Sequence, residues 1–146
     1  MNSPLLAWPV RIYYEDTDAS GVVYHAAYLR FFERARTEWL RRLGFSQERL
    51  RKELDVAFTL AELTIEFRRP ARLDDSLEAT AELTRLGGAS LVFAQSLREP
   101  ANAGGVLARA RARVACVDAR SFRPCPLPEG LMAALRGEGS RREGSA

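Results

Sequence analysis

Histidine and lysine are nearly absent from this chain: His25 and Lys52 are the sole examples of each. Two cysteines, Cys116 and Cys125, are too few to define a disulfide framework or a cysteine-rich metal site. Cys116 lies in an alternating apolar run and reads as a small buried hydrophobe. Cys125 stands between Pro124 and Pro126, in a segment that must be extended or turning. A domain of 146 residues buries roughly 70% of the surface its unfolded chain exposes, so it needs no staple and no disulfide is expected. No apolar stretch approaches the roughly 20 residues of a membrane span, which argues against an integral membrane segment. The start, MNSPLLAWPVR, lacks the basic residues followed by an apolar run that mark a secretory signal. Cytoplasmic residence is the expectation. The balance of 22 Lys+Arg against 19 Asp+Glu leaves a net charge of +3, too small to argue for a nucleic-acid partner.

What is present is ordinary globular material, 47% hydrophobic and 28% charged, in a length that suits one domain. Residues 1–135 read as that domain. Residues 136–146 form a polar, glycine-containing tail that carries much of the basic excess and is expected to be disordered. A stretch from Ala26 to Leu43 has no Gly or Pro and ends at Gly44, a C-terminal helix signal. Tyr28, Phe32, Ala35, Trp39 and Leu43 recur on it at helical spacing. Leu29, Phe31 and Leu40 widen the apolar face beyond what a surface helix needs. Such a helix, about 25 Å long, must be wrapped by something.

The rest of the chain supplies the wrapping. After a short strand at Val10–Tyr14, apolar residues alternate with polar ones through Leu63–Phe67, Leu77–Leu83, Leu91–Leu97 and Val106–Cys116, the period of strands with one buried face. The links at Pro70–Asp75, Leu86–Ser90 and Pro100–Gly105 are too short for parallel crossovers and predict an antiparallel meander. Ala79, Ala81, Ala108, Ala110 and Ala112 on the inward faces leave room for a helix to lie close. These features predict an α+β architecture, a hotdog-like arrangement of one long central helix in a curved antiparallel sheet of about five strands.

The segment between the first strand and the helix holds the candidate chemistry. Asp16 and Asp18 sit in a turn beside Gly21, the lone histidine follows, and the helix begins directly after it. A helix start offers unpaired N–H groups and the positive end of a dipole, which can stabilise an oxyanion. A nearby carboxylate can activate water or attack a carbonyl. Taken residue by residue, either aspartate reads equally as a turn or cap former, and His25 as a structural hydrogen-bonding residue. The EDTD run lacks the spacing and closing Glu of a calcium loop, so no metal is expected.

The stretch R-I-x4-T-D-x2-G-V-V-x2-A-x-Y, from Arg11 to Tyr28, resembles the active-site signature of the 4-hydroxybenzoyl-CoA thioesterase family. The fuller YYEDTD-x2-GVVYH, continuing YLRFFERARTEWLRRLG, is most similar to its Tol-Pal-associated acyl-CoA thioesterase branch. The similarity continues through Phe67–Asp75, Ser90–Phe93, Ala115–Asp118 and Arg123–Pro128. The resemblance implies a hotdog fold that assembles as homodimers or homotetramers with active sites between subunits, acts on acyl-CoA, and uses no cofactor. It implies that Asp18 is the catalytic carboxylate and that His25 contributes its backbone N–H to the thioester carbonyl. It further implies substrate contacts at Tyr24, Tyr28 and Ser90. Two departures stand out: Ala27 occupies a position where the branch usually has Asn, and Gly87, Gly88 and Ala89 stand where relatives use basic residues to grip CoA phosphates. The Arg109/Arg111/Arg113 stripe reads as a solvated strand face, with phosphate binding as its alternative. Glu33 is expected to pair with Arg30, Arg34 or Arg36 at helical spacing. The competing functional class is a non-catalytic hotdog protein that binds acyl groups or cell-envelope partners.

Overall fold

The computed structural model describes residues 5–100, 102 and 104–137. The expected tail therefore falls mostly outside the described residues. Five strands, β1 (Leu6–Arg11), β2 (Val56–Phe67), β3 (Ser76–Leu86), β4 (Ser90–Arg98) and β5 (Val106–Asp118), form one sheet in the order β1-β3-β4-β5-β2, every neighbour antiparallel. The helix α1 (Ala27–Arg42) lies on its concave side and is joined by α2 (Gln47–Leu54) and α3 (Glu129–Leu135). This is the hotdog fold.

The first strand occupies Leu6–Arg11 rather than Val10–Tyr14, and Tyr14–Asp16 instead forms a single 3₁₀ turn. Pro9 inside β1 is tolerated because β1 is an edge strand, where a missing N–H costs no ladder bond. α1 ends as its sequence predicts: Gly44, at φ +92°, takes the left-handed position and donates to the Arg41 carbonyl. α2 has no counterpart in the pattern reading. Ser46 caps its start by accepting from the Arg49 N–H, and Leu50 is its one buried residue.

The meander holds for β3, β4 and β5 but not for β2, which pairs with β5 at the far edge. The Pro70–Asp75 link is thus a passage from one edge of the sheet to the other side, not a hairpin turn. Along it the Val23 N–H donates to the Ala71 carbonyl, and Val22 forms a bridge with Arg72. Register slips at Leu60/Glu62 and Leu83/Arg85 insert extra residues, which bend the strands and increase the twist that wraps α1.

α1 packs against β1, β3 and β4. Ala79, Ala81, Ala108 and Ala112 have no exposed surface, and the fully buried Phe31 and Phe32 fill the space above them. Each of these rings stabilises the fold by about 1.5–3 kcal/mol through burial. α1 packs mainly on the other strands and touches β2 at Phe67, edge-on to Tyr28, so much of β2 stays exposed. Phe67 and Leu29, expected in the core, are 52% and 44% exposed. A groove of about 400 Å³ runs between α1 and β2, with Leu29, Glu33, Arg36, Phe58, Leu60 and Leu63 among its walls. Among the described residues no helix is long and apolar enough to cross a membrane.

Candidate active site

The segment from Asp16 to Tyr24 folds back on itself as a small two-armed ladder. The Asp18 N–H donates to the Val22 carbonyl, Thr17 bridges Val23, and the Tyr24 N–H donates to the Asp16 carbonyl. Gly21, at φ +84°, makes the reversal possible. The ladder is tied to the sheet by Val23 at Ala71 and by the Tyr28 hydroxyl, which accepts from the Ala71 N–H at 3.2 Å.

The two aspartates differ sharply. Asp16 is 6% exposed. Its Oδ2 accepts from the Tyr13 N–H at 2.9 Å, and its Oδ1 accepts from Arg30 at 3.0 Å. It anchors the 3₁₀ turn. Arg30 pairs with Asp16 rather than with Glu33, and Arg36 donates to Gln95 Oε1; Glu33 makes no direct ion pair among the described residues, but its charge acts on Arg36, three positions on along the helix. Asp16→Ala should lower stability by about 1–2 kcal/mol, chiefly by leaving the Tyr13 N–H unpaired, since Arg30 is half exposed. Urea denaturation measures this, and an unchanged midpoint would remove the anchoring role.

Asp18, by contrast, is exposed at the tip of the ladder. Its Oδ1 accepts from the Ser20 N–H at 2.8 Å and from the Ser20 hydroxyl at 2.5 Å, while Oδ2 has no protein partner among the described residues. The hydroxyl contact and then the Ser20 N–H hold this carboxyl below its ordinary value of 3.8, so it is ionised at neutral pH. The carboxylate is oriented through one oxygen and open through the other. Ser20 did not stand out in the sequence, although an Asp followed two residues later by Ser is a local turn signature.

The helix start completes the picture. In its first turn the N–H groups of Ala27, Tyr28 and Leu29 donate to the carbonyls of Tyr24, His25 and Ala26. The N–H groups of His25 and Ala26 make no hydrogen bond among the described residues. They are the open donors at the positive end of the helix.

The His25 ring is exposed and stacks on Tyr24 at 4.3 Å. It lines a cleft of about 290 Å³ with Val23, Tyr28, Phe67 and Arg68–Pro70. Tyr28 is buried, edge-on to Phe67 at 5.0 Å, and meets the cleft with its ring. Tyr24 is half exposed and meets the cleft only through its contact with the His25 ring. Ser90 is not brought to this place within one chain: it opens β4 beside Leu86, whereas the acidic turn rests near the start of β3, roughly 30 Å away at strand rise. The Arg109/Arg111/Arg113 stripe faces away from α1 and pairs across the sheet with Glu66, Thr64 and Glu62, Arg113 binding Glu62 at 2.7 Å. It is a strand face with ion pairing. Among the described residues no group of three or more His, Cys, Asp or Glu gathers as a metal site.

The thioesterase-like superfamily matches residues 13–135, a span that begins just before the acidic turn and ends with α3. The chain belongs to this superfamily. A thioesterase-like chain from Escherichia coli O157:H7, the acyl-CoA thioester hydrolase YbgC, is 49% identical over 136 residues, covering 93% of this chain and 99% of that one. The acyl-CoA thioesterase YbgC of Haemophilus influenzae is 46% identical over 129 residues, covering 88% and 93%. Among solved thioesterase structures, the 1,4-dihydroxy-2-naphthoyl-CoA thioesterase from Synechocystis superposes with a TM-score of 0.81 at 25% identity, covering 91% of this chain and 96% of that one. The protein is a thioester hydrolase of the superfamily.

Proposed function

We propose that this enzyme hydrolyses acyl-CoA thioesters of short-chain or aromatic acids, releasing the free acid and CoA, with Asp18 as general base or nucleophile and the His25 N–H as oxyanion donor. The observations that support the reading are the unspent N–H of His25 just before α1 and, at the tip of the same ladder, a carboxylate that Ser20 holds through Oδ1. In the water-activated form, Asp18 Oδ2 takes a proton from a water molecule whose oxygen bonds to the thioester carbon. The carbonyl oxygen becomes an anion held by the His25 N–H. Collapse breaks the C–S bond, and the CoA thiolate takes up the proton. In the covalent form Oδ2 itself bonds to the carbon, the C–S bond breaks and CoA leaves as the thiolate, and water then hydrolyses the mixed anhydride, releasing the acid, regenerating the carboxylate and giving its proton to the thiolate. Tyr24 and Tyr28 flank the acyl side of this arrangement.

Assembly belongs to the same reading. Asp18 and His25 are exposed in one chain, and an oxyanion donor is effective only where water is excluded. The outer edge of β2, a strand of twelve residues paired only with β5 among the described strands, offers the N–H and C=O groups of its alternate residues to a second copy. A homodimer or homotetramer with sites between subunits supplies the cover, and it gives Ser90 a site to serve on a neighbouring chain. The cytoplasm is the compartment that fits an acyl-CoA substrate.

The test is a thiol-release assay across straight-chain acyl-CoAs and aromatic acyl-CoAs. Turnover of at least one class is expected. A chain that binds these thioesters without hydrolysing any of them would instead be an acyl-binding protein.

A further inference from the structure

Beyond β5 the chain reverses tightly. Asp118 Oδ1 accepts the N–H groups of Arg120 and Ser121, the Phe122 N–H donates to the Asp118 carbonyl, and Phe122 takes a left-handed φ of +60°. The returning segment then pairs with β5. Val117 bridges Pro124, and the Cys125 N–H donates to the Cys116 carbonyl at 3.0 Å. This brings the two thiols together, with Cys116 Sγ and Cys125 Sγ 3.6 Å apart. Both are free: Cys116 has no exposed surface, and Cys125 is half-buried.

We propose that Cys116 and Cys125 form a reversible oxidation site, which takes a low-molecular-weight disulfide and closes to an intramolecular disulfide across the base of this turn. A bond of about 2.05 Å requires the sulfurs to approach by roughly 1.5 Å, within reach of side-chain rotation on a backbone already paired at these positions. The exchange balances without any other reagent. The Cys125 sulfur, the reachable one, attacks the small disulfide; its S–S bond breaks, one thiol leaves with the proton Cys125 gave up, and a mixed disulfide remains on Cys125. The Cys116 sulfur then attacks Cys125 Sγ, and the second thiol leaves with the Cys116 proton. One disulfide is reduced to two thiols, and two protein thiols are oxidised to one disulfide.

The environment shapes the rate and the consequence. Burial, and then the contact with Cys125, push the Cys116 thiol up to about 12, so ring closure is the slow step and quickens as pH rises. The bond would fasten the segment that leads to α3 onto β5. That segment already touches the β3–β4 turn, because the Leu127 N–H donates to the Gly88 carbonyl, beside the bond from the Cys116 N–H of β5 to the Ala89 carbonyl. α3 follows with Leu131 and Leu135 fully buried. Reduction would release the fastening without unfolding the sheet, whose ladders do not use it. In a reducing compartment such a bond forms only transiently, under oxidising conditions. The inference does not depend on whether the chain hydrolyses thioesters.

The experiment is incubation of the full chain with oxidised glutathione at several pH values, followed by intact-mass measurement and thermal melting. The expected product is monomeric on non-reducing gels and lighter by two hydrogen atoms, with a single peptide cross-link between Cys116 and Cys125. It should form faster at pH 9 than at pH 7 and melt about 5 °C or more above the reduced protein, a shift dithiothreitol reverses. Cys125→Ser should leave Cys116 unmodified, because a wholly buried thiol has no route to the reagent. A stable glutathione adduct with the second thiol still free, or cross-linking between chains instead of within one, would overturn the proposal.

Discussion

Asp18→Asn should lower kcat/KM for acyl-CoA hydrolysis by at least about 100-fold with little change in melting temperature. Asparagine is isosteric with aspartate, and its Oδ1 can still accept from the Ser20 N–H, so the turn that positions the side chain survives. What is lost is the negative charge on the free oxygen, and with it both the capacity to take a proton from water and the capacity to attack a carbonyl. The same carboxylate sets the acid side of the pH profile. The Ser20 contacts hold it below 3.8 and protonation silences it, so kcat/KM should stay level through mildly acidic pH and fall only below about that value. Stopped thiol-release assays on the wild type and the variant, beside circular dichroism melts, read both effects. A variant with near-normal turnover would remove Asp18 from the reaction, whichever of the two chemical routes is in use.

The second large effect separates a backbone role from a side-chain role at one position. His25→Pro should cost about 10²–10³ in kcat, the loss typical of one oxyanion donor, whereas His25→Ala should cost much less. Proline deletes an N–H that makes no hydrogen bond among the described residues, at a position that precedes the helix, and the melting curves check whether its restriction of Tyr24 disturbs the ladder. Alanine deletes the imidazole, which is exposed and stacks only on Tyr24, and keeps the N–H. The comparison is made at saturating acyl-CoA with melting curves of both variants. If alanine were the more damaging substitution, the ring and not the backbone would be the functional part of His25.

The elements that were legible in the sequence are those whose burial is one-sided and complete. α1 announces itself because seven of its residues are buried on a continuous face, and β5 because Ala108, Ala110 and Ala112 alternate strictly with Arg109, Arg111 and Arg113. α2 was not legible: with Leu50 alone buried, it has no period to detect. The first half of β2 escaped for the opposite reason, since VAFTL is a run without alternation. Strand order was beyond pattern reasoning, because the Pro70–Asp75 link is as short as a hairpin loop yet leads between strands that do not pair. At the site, the signature picked out Asp18, but only burial explains why Asp16 is different: it is enclosed with Tyr13 and Arg30 in a place no spacing reveals. The approach of Cys116 and Cys125 was likewise invisible, since it depends on the left-handed Phe122 turn between them.

The passage of the chain from β2 to β3 also sets an order of assembly. The hairpins β3–β4 and β4–β5 close short loops, and forming them costs little chain entropy. The acidic ladder, in contrast, is secured by Val23 and Tyr28 at Ala71, the latter a contact across 43 positions of sequence, and Ala71 is held in place only once β2 has found the far edge beside β5. Long-range pairings of this kind come late, after the local ones have narrowed the search. The acidic ladder is therefore expected to be among the last parts organised as the chain folds. A newly made chain can hold most of its sheet while this ladder is not yet fastened at Ala71.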